Sequence, residues 1–145
     1  MKKHPNGKFS LLVALILTVV VFGGCASGPA NTARDLQTSV FRDVATADAK
    51  SLIESKADLT VIDVRTPEEY AAGHLANAIN VDVKAADFSN KIGVHDKNKE
   101  YLVYCRTGKR SLQAAEVMKG LGFTNVSNMT GGITQWQADG GATVQ

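Results

Sequence analysis

Residues 101–122 read YLVYCRTGKRSLQAAEVMKGLG, and this stretch decides the fold. Tyr101–Tyr104 is a run of bulky apolar and aromatic residues of the kind that fills a buried strand. From Ser111 to Leu121 the pattern changes period: Leu112, Ala115 and Met118 recur at i, i+3 and i+6, as one face of a helix requires, and Gly122 supplies a stop. Strand and helix are joined by only Cys105-Arg106-Thr107-Gly108-Lys109-Arg110. A cysteine therefore stands at the carboxyl end of a strand, just ahead of a helix N-terminus.

The flanking sequence repeats this alternation. Phe41–Val44 is a short strand, and Thr46–Lys56 a helix with Thr46 as N-cap and Leu52 and Ile53 on its buried side. Thr60–Val64 (TVIDV) is a β-branched run suited to a second buried strand. Thr66-Pro67-Glu68-Glu69 then gives an N-cap, a proline at the first helical position and acids in the first turn, with the helix running to about Ala72 and stopping at Gly73. Ala78–Val81 is a strand, Ala86–Lys91 a short helix, Val126–Met129 the last strand, and Gly131-Gly132 opens a final helix through Trp136. Such alternation predicts an α/β fold with a central parallel sheet of about five strands and helices on both faces, in which sites lie at the carboxyl ends of the strands.

Three features around Cys105 lower a thiol pKa. The helix N-terminus carries partial positive charge. Successive backbone N–H groups in a tight loop form an anion nest, for which Gly108 permits the necessary φ. Arg106, Lys109 and Arg110 add three cations, with no acid between Tyr101 and Ala115. Reactive cysteines occupy such electropositive settings, with pKa values of roughly 3.5–7.5. Cations at a helix N-terminus oppose its dipole, so their placement costs stability unless an anion binds there.

These motifs, in their order, resemble the single-domain rhodaneses, the thiosulfate sulfurtransferase-like family. VIDVRTPEEYAAGHLANAINV resembles the family's strand–helix–Gly-His–strand signature, YCRTGKRS its active-site loop, and GFTNVSNMTGGITQW its closing segment. The resemblance implies that the Cys105 thiolate takes the outer sulfur of thiosulfate, releases sulfite, and carries the sulfur as a persulfide to a thiophilic acceptor such as cyanide or a thiol. It implies no cofactor beyond that covalent intermediate. Backbone groups of Arg106, Thr107, Gly108, Lys109, Arg110 and Ser111 would cradle the anionic sulfur, and the three cations would attract the small anionic donor. Spacing separates a rival chemistry: the related phosphatases and arsenate reductases carry C-x5-R, whereas Cys105 to Arg110 is C-x4-R, and Tyr104 stands where phosphatases usually have histidine. An alternative of another class stays open, a persulfide carrier or binding module that delivers sulfur to a partner protein without efficient turnover.

Asp63 and Arg65 are expected as supporting residues, Asp63 bonding groups near the site and Arg65 pairing with Glu69 four residues on or leaning toward the site. His74 is expected to fix the turn after its helix, His95 to be incidental, and the Trp136 indole to pack in the core with its N–H bonded. No metal is expected, since His4, His74 and His95 lie at ligand spacing from neither one another nor a cysteine.

The chain has 145 residues, room for one domain of normal size. It opens MKKHPNGKFSLLVALILTVVVFGGC, in which Lys2, Lys3 and Lys8 precede an apolar run from Phe9 to Phe22, shorter than the ~20 residues that span a bilayer. Gly23-Gly24-Cys25 resembles a bacterial lipobox. Residues 1–24 are thus expected to be a signal peptide, Cys25 the lipidation site, residues 25–39 a flexible tether and residues 40–145 the folded domain. The expected location is extracytoplasmic, anchored to a bacterial membrane through lipid, with Ala26 favouring the outer membrane where the cell has one. Without Lys2, Lys3 and Lys8 the 16 Lys and Arg fall to 13 against 14 acids, which leaves no basic footprint for nucleic acid.

Overall fold

The computed structural model describes residues 39–145. The signal-peptide-like segment, Cys25 and all but the last residue of the expected tether lie outside the described residues. Five strands and five helices alternate: β1 (Val40–Val44), α1 (Thr46–Ser55), β2 (Thr60–Asp63), α2 (Pro67–Ala71), β3 (Ile79–Asn80), α3 (Phe88–Gly93), β4 (Glu100–Tyr104), α4 (Lys109–Gly120), β5 (Asn125–Met129) and α5 (Gly132–Ala138). The strands form one parallel sheet in the order β1-β5-β4-β2-β3, so β4 lies between β5 and β2.

Side-chain alternation along each strand divides the core between the two faces of the sheet. On one face Ile62, Val103 and Val126 pack with Phe88 and Ile92 of α3 and with Ala114, Ala115 and Met118 of α4. On the other, Val44, Val61, Leu102, Tyr104 and Met129 pack with Ala49 of α1, Leu75 and Ala78 after α2, and Ile133 and Trp136 of α5. Both faces of β4 are buried, as its unbroken apolar run requires.

Three local expectations are corrected. Thr46 is the first helical residue and not the N-cap, which is Ala45; the Thr46 hydroxyl donates instead to the Asp139 carboxylate beyond α5. The apolar stripe of α4 runs through Ser111, Ala114, Ala115 and Met118, leaving Leu112 47% exposed. This phase brings the Ser111 hydroxyl to 3.5 Å from the Cys105 sulfur. The third concerns Arg65. It lies before the N-cap of α2, so the i,i+4 geometry that would join it to Glu69 does not exist. It pairs instead with Asp63.

The α2 start forms as its sequence dictates. The Thr66 hydroxyl accepts from the Glu69 N–H at 3.3 Å, while a Glu69 carboxylate oxygen accepts from the Thr66 N–H at 3.2 Å, with Pro67 at the first helical position. This capping box fixes where the Glu69 carboxylate sits.

Candidate active site

The six residues after Cys105 wrap around its sulfur. Gly108, at φ 91°, turns the chain as N-cap of α4, and its N–H donates to Sγ at 3.2 Å. The Ser111 hydroxyl lies 3.5 Å from Sγ and 3.1 Å from the Gly108 carbonyl oxygen. Cys105 is 1% exposed. Burial pushes the thiol up, but the Ser111 hydroxyl and the N–H groups of Ser111, Thr107 and Gly108 outweigh it and hold the pKa below the ordinary cysteine value. The cup therefore eases deprotonation of the sulfur relative to a free cysteine.

The floor of the loop is built from the glycine pair. Ile133 N–H donates to the Cys105 carbonyl at 2.9 Å and Thr134 N–H to the Arg106 carbonyl at 3.1 Å. These bonds fix the backbone on the carboxyl side of the cysteine, where the loop begins. They require Gly132, at φ 58°, because a Cβ there would overlap the Cys105 carbonyl oxygen and reach 2.5 Å from the Arg106 carbonyl. In sequence, Gly131-Gly132 stands as the opening of the last helix. The paired glycines carried the signal of a close backbone approach, but nothing in them named the cysteine loop as the partner.

The three loop cations are not equivalent. Arg106 and Lys109 are exposed. Arg110 reaches to α2, where its two terminal nitrogens each lie 2.7 Å from an oxygen of Glu69. That contact takes the Glu69 pKa down to about 2, the Arg110 bond being the largest cause, despite partial burial. Glu69 is therefore a site residue that the local spacing assigned to Arg65.

Asp63 and Arg65 support the neighbouring strand end. Asp63 is fully buried and Arg65 6% exposed. The Arg65 guanidinium donates to Asp63 at 2.6 Å and to the Gly73 carbonyl at 2.7 Å, and its own N–H donates to Asp63 at 2.9 Å. Burial works against the Arg65 charge, and the Asp63 carboxylate overcomes it, leaving the pKa raised. The His74 ring stacks on Tyr70 at 3.7 Å, and its backbone pairs with Val144, so it fixes a turn as expected. The Trp136 N–H donates to Ala142 at 2.9 Å. His95 lies edge-on to Tyr101, away from the loop.

A parallel α/β sheet that delivers one buried thiol into a cup of amides between a strand and a helix defines a class of thiol-centred proteins whose chemistry is covalent at sulfur. Within that class the chain belongs to the rhodanese family: the Rhodanese-like domain model matches residues 45–139. It is 35% identical over 99 residues to the putative sulfurtransferase YtwF of Bacillus subtilis (strain 168), a match covering 68% of this chain and 93% of that one. Over 70 residues it is 41% identical to the thiosulfate sulfurtransferase PspE of Escherichia coli (strain K12), covering 48% and 67%. The crystal structure of a rhodanese-related protein from Thermoplasma volcanium superposes with a TM-score of 0.62 at 34% identity, covering 71% of this chain and 97% of that one.

Proposed function

We propose that this protein is a rhodanese-type sulfurtransferase that moves sulfane sulfur from thiosulfate, or a similar small anionic donor, to a thiophilic acceptor through a persulfide on Cys105. The observation that carries the reading is the cup itself, where the Gly108 N–H at 3.2 Å and the Ser111 hydroxyl at 3.5 Å converge on a buried sulfur. The Cys105 thiolate attacks the outer sulfur of thiosulfate. A new S–S bond forms, the old one breaks, and sulfite leaves with the electron pair. The persulfide keeps one negative charge, which the N–H groups of Thr107, Gly108 and Ser111 offset, as an oxyanion hole would. An acceptor such as cyanide or a thiolate then takes the outer sulfur and returns Cys105 to thiolate. No proton moves in the donor step, so no general base is required. Exposed Arg106 and Lys109 draw the donor in. The sequence of residues 1–25 supports anchoring of the domain to a bacterial membrane through lipid on Cys25.

The test is intact-mass spectrometry after incubation with thiosulfate, beside Cys105→Ser. A gain of one sulfur, about 32 Da, on the native protein alone, reversed by cyanide, is the expected result. No gain would remove thiosulfate as donor. Steady-state turnover with small acceptors then separates an enzyme, which cycles with ping-pong kinetics, from a carrier, which is loaded once and discharges only to its partner.

A further inference from the structure

Arg110 stands in the first turn of α4, where the helix dipole disfavours a cation unless an anion lies near. The anion comes from another element. Glu69 grips both terminal nitrogens of Arg110 at 2.7 Å, and the Thr66 N–H holds the same carboxylate from behind at 3.2 Å. Glu69 is thus fixed by the helix it caps and is not a mobile surface acid. The Glu69 bond is the largest influence keeping the Arg110 guanidinium charged, and the Cys105 sulfur is a lesser one. Arg110 therefore pairs directly with Glu69 and stands next to Ser111, whose hydroxyl lies 3.5 Å from the Cys105 sulfur.

The other charges near the sulfur are Arg106 and Lys109 of the loop and the Asp63–Arg65 pair at the end of β2. Asp63 and Arg65 neutralise each other. Neither Arg106 nor Lys109 takes part in an ion pair among the described residues. Among the described residues Glu69 is then the one acid paired with a loop cation.

We propose that Glu69 is a specificity-determining residue for an anionic sulfur donor: by clamping Arg110 it caps the positive charge that the donor meets at Cys105. Less cap would mean tighter capture of the dianionic donor and slower escape of sulfite, which is also a dianion. The clamp keeps the loop cationic enough to attract and not so cationic that it retains. The use of this charge in sulfur transfer rests on the function proposed above, but the charge itself is measurable on the bare thiol.

The experiment treats the full chain with an equimolar excess of iodoacetate and iodoacetamide, and reads both adducts on the Cys105 peptide by mass spectrometry. The two reagents are alike in size and meet the same thiolate, so their ratio cancels thiolate fraction and access and leaves local charge. Glu69→Gln is expected to raise the iodoacetate share about three- to tenfold at low salt, the effect of one charge several ångströms away at an intermediate dielectric. The gain should fade as salt rises. Arg110→Gln, which leaves Glu69 unpaired, is expected to lower the share. Opposite signs support the clamp. A merely structural contact would loosen the loop in both variants and move the ratio the same way in each, and that result, or no change in Glu69→Gln, would overturn the proposal. A thermal melt of each variant confirms that the ratio is read on folded protein. If thiosulfate adds no sulfur to the wild type while the ratios move as expected, the donor chemistry fails and the charge cap stands.

Discussion

Gly132→Ala is the sharpest perturbation of the cup. The residue sits at φ 58°, where an alanine Cβ is strained by about 1–2 kcal/mol. The new Cβ would overlap the Cys105 carbonyl oxygen and lie 2.5 Å from the Arg106 carbonyl. Both are backbone atoms held by Ile133 and Thr134, so relief requires moving the loop, an overpacking cost of about 1–3 kcal/mol. The expected loss is about 2–5 kcal/mol, or a fall in melting temperature of roughly 10–20 °C or more for a domain of about 100 residues. Urea unfolding followed by circular dichroism and by the fluorescence of Trp136, the chain's single tryptophan, measures it. Gly120→Ala is the internal control. It lies at the last residue of α4 with no atom within 4 Å of its would-be Cβ, and should be neutral or up to about 1 kcal/mol stabilising. A Gly132→Ala protein within about 0.5 kcal/mol of wild type would refute the claim that close packing of α5 against the loop requires this glycine.

Other expectations concern the thiol, its charges and its helix. Cys105 has a pKa depressed in the folded state, so its thiolate contributes stability above the unfolded value, and that contribution is lost as pH falls through the folded one. Ser111→Ala should move the midpoint of iodoacetamide alkylation to higher pH, and an unmoved midpoint would deny the hydroxyl its role. Arg106→Gln with Lys109→Gln should raise KM for thiosulfate several-fold and flatten its salt dependence, because both charges are exposed and screened over ~8–10 Å; a salt response as steep as wild type would show that other groups attract the donor. Met118→Ala, at a fully buried position, should cost about 2–5 kcal/mol in chemical denaturation, while Leu112→Ala, nearly half exposed, should cost less than about 1. Equal losses would contradict the observed phase of α4.

The strands were legible because their apolar runs are short and β-branched or aromatic, and TVIDV and YLVY lie where the sheet needs residues buried on both faces. The capping box at Thr66 was legible because all its parts lie within four residues. The cysteine loop was legible for the same reason: Gly108, Ser111 and the thiol they serve are neighbours in sequence. What local spacing missed is long-range. Arg110 meets Glu69 across 41 positions, and Thr46 meets Asp139 across 93. The phase of α4 runs against local hydrophobicity: Leu112 is the more apolar residue, yet the helix buries Ser111, whose hydroxyl meets the sulfur. Arg65 lies outside the helix in which i,i+4 spacing applies, and a buried carboxylate two residues away pairs with it.

The bracing of the loop by Ile133 and Thr134 also has a temporal side. A ribosome delivers Cys105 before α4, β5 and the glycine pair that complete its surroundings, so for an interval the newborn chain carries the thiol without the scaffold that orients its amides. The setting of the Cys105 thiol thus depends on a segment far downstream in the chain, where a glycine without a side chain lets the Cys105 and Arg106 carbonyls find their donors.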